Sequence, residues 1–290
     1  MTIRHLKIFI AVCEHGSTTR AAEALYIVQP TVSHAISELE RYYKAKLFDR
    51  INQRLILTDV GRALLVKAKE IIAGFDEFES LATSSGQSPR VRIGASLTMG
   101  QTLIPRFLKQ VEREGLIIEP VVLIRQASVI EEELCEGNLD FAVIGGHVVS
   151  PYLSAEPLHE DRFLAVVNSE YDVPDRLSVE QLINYPLLLR ERGSSSRDCI
   201  EEAAADRGLK VEPKMDSSNN QAIVTALYSS LGIGFLPESY VRGHVDRGRF
   251  KEITITDLEA DRTNYLVMHK NKRLNDLQQQ AYDLIKSIGR

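Results

Sequence analysis

Arg190-Glu191-Arg192-Gly193-Ser194-Ser195-Ser196-Arg197 is the densest chemical run in the chain. The hydroxyls of Ser194, Ser195 and Ser196 stand beside the guanidiniums of Arg192 and Arg197, at the start of a helix predicted over 195–207. Exposed N–H groups and the macrodipole favour negative charge at such an end, and charge-assisted hydrogen bonds reinforce it. Smaller sets of the same kind are Ser96 and Thr98 after a predicted strand over 90–94, Gln126 and Ser128 after another, and Asn219 at the opening of a further helix. Their plain structural role is to cap helices and fill Ser-rich loops. Their chemical role would be to hold a small organic anion, most simply a carboxylate, among Ser96, Thr98, Ser128, Ser195 and Ser196.

A different chemistry lies near the start of the chain, in Gln29-Pro30-Thr31-Val32-Ser33-His34. Pro30 can open a helix, because a first-turn residue has no intrahelical partner for its N–H. Val32, Ile36 and Leu39 recur at spacings of four and three, which leaves Thr31, Ser33, His34 and Ser37 outside the apolar face. A short helix precedes it, with Ser17 as N-cap, Thr18 in its first turn, and Ala21, Ala22 and Leu25 at helical spacing. The small Ala22 lets the two helices approach closely. A helix pair with small polar residues near the second N-terminus has helix-turn-helix geometry. In a major groove Gln can pair adenine and Ser or Thr can serve several bases. Arg50 and Arg54 fall on two short predicted strands joined by an Asn52-Gln53 turn, a wing suited to phosphate or minor-groove contact.

Charge is divided to match. Residues 1–62 carry nine Lys and Arg against six acidic residues, a net of +3, so the overall −5 leaves −8 on the remainder. One modestly basic end would therefore meet nucleic acid while the body repels it. From Thr58 a long helix is predicted, with Leu64, Ala68, Ile71, Phe75 and Phe78 forming a seam of average period close to 3.5, a dimerisation stripe. It ends in Thr83-Ser84-Ser85-Gly86-Gln87-Ser88-Pro89, the best linker in the chain. Beyond Pro89, strands alternate with helices in two successive groups, which predicts parallel sheets covered on both faces and two α/β lobes.

Taken together, Phe9-Ile-Ala-Val12, Gly16-Ser17, Ala21-Ala22-Glu-Ala-Leu25, Gln29-Pro30-Thr-Val32-Ser33, Ile36, Leu39-Glu40, Leu47-Phe48-Asp-Arg50 and Leu57-Thr58-Asp-Val-Gly61 resemble the N-terminal domain of the LysR-type transcriptional regulators. Val28 replaces the Ser usual in that pattern, so a capping hydroxyl is missing there. Gly137-Asn-Leu139-Asp140-Phe-Ala and Gly232-Ile-Gly234-Phe-Leu-Pro237 match later family segments, and the run from Arg190 resembles the Arg-Glu-x-Gly-Ser-Gly-Thr-Arg found in part of the family. The resemblance implies an α/β chain of three parts. Residues 1–58 would be an all-α winged helix-turn-helix binding DNA through Thr18, Gln29, Pro30, Thr31, Ser33, His34, Ser37, Arg50 and Arg54. Residues 59–87 would be a dimerising linker helix and hinge. Residues 88–290 would be a two-lobed effector domain similar to type 2 periplasmic binding proteins, with lobe I at 88–161 plus 266–290 and lobe II at 162–265. It further implies double-stranded promoter DNA as partner, homodimers pairing into a homotetramer on bent DNA, and RNA polymerase as the reader of that bend.

Other functional classes fare worse. No Gly-x-Ser-x-Gly elbow occurs, since Gly94-Ala95-Ser96 runs into Leu97 and Thr98, and no His-Glu-x-x-His or Walker motif is present, so neither enzyme activity nor a cofactor or metal is expected. A solute-binding transport protein would have no use for the N-terminal helices. No apolar run reaches about eighteen residues, and Met-Thr-Ile-Arg-His leads directly into an amphipathic helix, so no membrane partner and a cytoplasmic location are expected. Cys13, Cys135 and Cys199 are too scattered for a metal site. Cys199 lies near where peroxide-sensing relatives place a thiol, but the matching position is Ser195 and no later cysteine can resolve a sulfenic acid. A thiol-based redox regulator using Cys199, and a ligand-independent regulator, are the alternatives.

Overall fold

The computed structural model describes residues 1–51, 54–82 and 89–289. The Asn52-Gln53 turn, the linker over 83–88 and the side chain of Arg54 lie outside the described residues.

Three helices, α1 (Ile3–His15), α2 (Thr18–Ala24) and α3 (Gln29–Tyr43), pack with the hairpin β1 (Phe48–Ile51) and β2 (Arg54–Leu57) to form the head. Ser17 Oγ accepts the N–H of Arg20 and starts α2. Val28 offers α3 no side-chain cap, yet the helix begins at Gln29 with Pro30 in its first turn. Phe9, Val12, Ala21, Ala22, Val32 and Leu39 are buried together, and Cys13 packs at their edge, where burial pushes its thiol up to about 12.

Two motif residues whose purpose was opaque in the sequence acquire one here. Glu40 Oε1 accepts the N–H groups of Leu47 (2.9 Å) and Phe48 (3.4 Å), and its Oε2 accepts from Lys46 Nζ at 2.7 Å. Burial alone would raise its carboxyl, but these bonds hold it below the usual range. The recognition helix is thereby fastened to the wing. A Cβ on Gly61 would lie 2.3 Å from the carbonyl oxygen of Leu47, so only glycine lets the next helix start there.

That helix, α4 (Asp59–Ala82), is 24 residues long, with Thr58 Oγ1 accepting the N–H of Gly61 at 3.0 Å. The expected seam is divided between two surfaces. Ala68 is buried in the head with Leu65, and Leu64 packs against the same core. Phe75 is half-buried with Lys7 Nζ 5.8 Å from its ring, and only Ile71 and Phe78 are exposed, by 47% and 68%. A heptad count cannot tell a stripe that meets a partner from one that meets its own domain. Here the head takes the N-terminal half.

The body contains β3 (Arg90–Ser96), α5 (Leu97–Thr102), α6 (Ile104–Glu114), β4 (Glu119–Arg125), α7 (Ala127–Cys135), β5 (Phe141–Gly145), β6 (Leu153–Asn168), β7 (Arg176–Leu177), α8 (Val179–Leu182), β8 (Leu187–Arg190), α9 (Ser195–Ala205), β9 (Met215–Ser217), α10 (Asn220–Tyr228), β10 (Ile233–Pro237), α11 (Glu238–Asp246), β11 (Phe250–Ile255), β12 (Asp261–His269) and α12 (Asp276–Ile288). Ten strands join in the order β4-β3-β5-β12-β6-β10-β8-β9, with β11 pairing β6 and β7. Within the lobes the expectation of parallel sheets holds: β3 pairs with β4 and β5, and β8 with β9 and β10, all in parallel. The strands that cross between lobes do not follow it, since β6 runs antiparallel to β12 and to β10.

Several expected elements shift. After β3 the chain forms two helices rather than one, α5 and α6, broken at Leu103 ahead of Pro105. The apolar Val211 is not in a strand, and β9 forms at Met215–Ser217. β6 extends back to Leu153, because its half-exposed first half lacks the apolar run of 163–167. β7, α11 and β11 were not anticipated.

Lobe I and α4 are in contact. The positive-φ Gly137 lies against Val66, where a Cβ would come 3.3 Å from the Val66 Cα. Lys69 Nζ donates to Asn138 Oδ1, Tyr152 Oη donates to Asp59 Oδ1 at 2.6 Å, and the Arg273 N–H donates to Glu70 Oε1 at 3.1 Å. Beneath them Asp140, 1% exposed, accepts from the Arg92 backbone and guanidinium, both at 2.8 Å, and pairs with Lys272 Nζ at 3.0 Å.

Candidate functional site

On the head, α3 presents its N-terminal turn outward. Gln29 and Pro30 are exposed, as are His34 and Ser37, while Thr31, Ser33 and Thr18 are half-buried. Gln29 Nε2 donates to Thr18 Oγ1 at 3.0 Å and to Ser33 Oγ at 2.8 Å. Both amide hydrogens are thus engaged and Oε1 remains as an acceptor, with the side chain's rotamer fixed before any partner arrives. Thr18, Gln29 and Ser33 form one hydrogen-bonded cluster. His34 Nδ1 lies 3.7 Å from Glu38, whose carboxylate also meets His5 Nε2 at 3.0 Å. The His5 hydrogen bond, helped by the charges of His34 and Arg41, holds Glu38 below the usual range. Arg50 is exposed on β1.

In the body, a cavity of about 580 Å³ opens between the lobes. Ser96, Thr98, Gln126, Ser128, Ser194, Ser195 and Ser196, all anticipated, line it. They lie at the N-terminal ends of α5, α7 and α9, so three sets of helix N–H groups converge on one space. Ser96 Oγ accepts the Gly145 N–H at 3.1 Å, and the Ser194 and Ser196 hydroxyls are 3.1 Å apart.

Arg192, Arg197 and Asn219 do not line the cavity. Arg192 is exposed elsewhere. Arg197, 3% exposed, turns into lobe II, where Nε meets Glu201 at 2.8 Å and Nη1 meets Asp216 and the Arg190 carbonyl. Its carboxylate partners lie 4 and 19 residues along the chain, so the run of eight residues gave no hint of this. Asn219 is consumed as the cap of α10, accepting the Gln221 N–H at 2.8 Å.

The next residue, Asn220, was overlooked and is the more informative. It is 1% exposed, accepts from Arg190 Nη1 at 2.7 Å, and donates across to Gln101 Oε1 at 2.9 Å and Thr98 Oγ1 at 3.4 Å. Gln126 Nε2 donates to Glu191 Oε1 at 3.2 Å. The two lobes are therefore joined over the cavity by polar side chains. At the crossing strands, Arg262 and Asp161 form a buried pair at 2.8 Å, and Arg262 lies 4.9 Å from the Phe163 ring centroid. Burial would raise the Asp161 carboxyl, but Arg262 and Ser239 hold it down. Also missed as lining residues were Glu131, His147, Asp198 and Arg262, while Arg190 and Glu191, the first two residues of the Ser-rich run, do line it. A periodicity of i, i+3 from Ser128 and Ser195 would have found Glu131 and Asp198.

Cys199 is half-buried, its Sγ 3.9 Å from the Glu259 carbonyl, and burial pushes its thiol up to about 11. It is a thiol rather than a thiolate at neutral pH. Among the described residues no group of His, Cys, Asp and Glu could hold a metal, and no helix is long and apolar enough to cross a membrane.

Residues 3–62 match the model of the bacterial regulatory helix-turn-helix proteins of the lysR family, and residues 84–289 match that of the LysR substrate binding domain. The transcriptional activator CmpR of Synechocystis sp. is 27% identical over 288 residues, 98% of this chain and 94% of the relative. Among solved structures, ArgP of Mycobacterium tuberculosis superposes with a TM-score of 0.76 at 21% identity, covering 98% of this chain and 96% of that one. Full-length OxyR of Pseudomonas aeruginosa gives 0.67 at 22%, covering 100% and 95%.

Proposed function

This chain belongs to the LysR family of DNA-binding transcriptional regulators, and from that premise we propose that its promoter contact is set by a small carboxylate held between the two lobes. Gln29, fixed by Thr18 and Ser33 at the exposed start of α3, would read a base edge in the major groove, with Thr31, His34 and Ser37 beside it and Arg50 and Arg54 on phosphate or the minor groove. Ile71 and Phe78 of α4 would pair two heads, and two such dimers would form the tetramer that bends DNA for RNA polymerase.

The observation that carries the ligand reading is the convergence of three helix N-termini with Ser96, Thr98, Ser128, Ser195 and Ser196 on one cavity. A ligand there touches both lobes and so favours their closed arrangement. A coupling free energy of about 1–3 kcal/mol suffices to shift the balance between regulator states. Thermal melting of the full chain across a panel of carboxylates tests the reading. A stabilising shift that disappears in the Ser96→Ala, Ser195→Ala double variant is expected, and no shift across the panel would refute it. Selection of the DNA retained by the purified protein tests the other half: one preferred duplex is expected, and binding indifferent to sequence would refute it.

A further inference from the structure

The charges around the cavity do not balance. Besides the exposed imidazole of His147, five charged side chains line it: Glu131, Arg190, Glu191, Asp198 and Arg262. Both guanidiniums are already engaged. Arg190 donates from Nε and Nη2 to the two oxygens of Glu191, each at 2.9 Å, and Arg262 donates to Asp161. Glu131 and Asp198 are left, and neither forms an ion pair among the described residues. Glu131 is only 8% exposed; its Oε2 accepts the N–H groups of Val149 (3.0 Å) and Ser150 (2.8 Å), and its Oε1 has no hydrogen-bond partner among the described residues. Asp198, in the first turn of α9, is half-buried; burial pushes its carboxyl up against the opposing pull of a hydrogen bond from the Gly193 N–H.

Their positions repeat in the two lobes. Glu131 follows Ser128 by three residues on α7, and Asp198 follows Ser195 by three on α9. Residues three apart share a helix face, about 4.5 Å along the axis. Each lobe thus offers an anion-binding helix end and, three residues further along the helix, a carboxylate that has backbone N–H donors but no cationic partner among the described residues. A ligand with a carboxylate alone would meet the first and leave two like charges facing a space that closure makes drier, which is unfavourable. An ammonium group, with three donors and no acceptor, matches what Glu131 Oε1 and the Asp198 carboxylate lack.

We propose that the ligand of this cavity is a small zwitterion, its carboxylate at the serine-lined helix ends and its cationic nitrogen held by Glu131 from one lobe and Asp198 from the other. This rests on the carboxylate reading above and adds the second pole. Because the two acids belong to different lobes, the cation also removes the repulsion that opposes closure, so a ligand lacking it binds but closes the cleft less well.

Calorimetric titration of the full chain with α-, γ- and ω-amino acids, each beside its deaminated carboxylate and a matched amine without a carboxylate, tests the proposal. The best amino acid is expected to bind at least about tenfold more tightly than its deaminated partner, the loss typical of one charge-assisted hydrogen bond. Asp198→Asn and, separately, Glu131→Gln should remove most of that advantage while leaving the deaminated carboxylate within about twofold. Glu131→Gln keeps an acceptor for Val149 and Ser150, and Asp198→Asn leaves that loop untouched. Equal binding of amino acid and deaminated partner overturns the cationic pole and leaves the carboxylate reading standing. Equal binding of the amine without a carboxylate, or no binding by any class, overturns both.

Discussion

At the scale of single residues, Gln29 and Arg50 should fail in different ways. Gln29 is held by Thr18 and Ser33 at the exposed start of α3, and on the proposed reading it meets a base, so Gln29→Ala is expected to cost about 1–3 kcal/mol on the preferred duplex and little on random DNA. Arg50→Ala should weaken both alike and lower the slope of log affinity against log salt by about 1. Fluorescence anisotropy over a salt series separates them. Asp140 makes a prediction about acid stability. Burial opposes its charge, yet Arg92 and Lys272 outweigh burial and hold its carboxyl below the ordinary 3.8. A carboxyl depressed in the folded state stabilises above its unfolded pKa and loses that contribution as pH falls through the folded value. Urea midpoints of the native protein should therefore drop below about pH 4 more steeply than those of Asp140→Asn. The variant itself should be less stable by about 3 kcal/mol or less at neutral pH, since it takes the carboxylate from the part-exposed Arg92 and leaves Lys272 with Glu70 alone, at 3.9 Å.

Elements carry the next argument. α4 serves three neighbours at once: its own head through Leu65 and Ala68, lobe I through Asp59, Lys69 and Glu70, and solvent through Ile71 and Phe78. Of the seam residues, Ile71 and Phe78 are the exposed pair that a partner could cover. Ile71→Asp with Phe78→Asp should shift the protein to monomer in sedimentation velocity, without changing the fold of the head. Ala68 substitutions should instead unfold the head, because that side chain is already in its core. In the same way Glu40 and Gly61, invisible as chemistry, decide where the wing and α4 can sit relative to α3.

At the scale of the whole molecule, polar side chains tie one lobe to the other across the cavity. Asn220, reaching from lobe II to Thr98 and Gln101, and Gln126, reaching from lobe I to Glu191, span the gap. Asn220→Ala is expected to leave each lobe's core intact, to cost about 1–2 kcal/mol, and to speed hydrogen exchange at the amides of α5 and α10 specifically. Faster exchange confined to lobe II, with α5 unchanged, would show that Asn220 supports lobe II alone.

The head was almost fully legible in the sequence, because caps, a Pro in the first turn and apolar residues three and four apart act within a few residues of one another. The alternation that makes two α/β lobes was legible for the same reason, and so were the serines at the helix ends, which owe their place to local turn chemistry. What a charge does was not. Arg197 and Arg192 read like ligands but are spent or exposed elsewhere, Asn220 became a functional candidate only when chain segments 122 residues apart came together, and the i, i+3 spacing that places Glu131 and Asp198 beside the helix-end serines says nothing of whether either acid has a partner. A charge's role is fixed by its compensating partner and by its distance from water. Both belong to the folded chain, and so the tertiary structure alone decided which residues of the cavity remain free to meet a ligand.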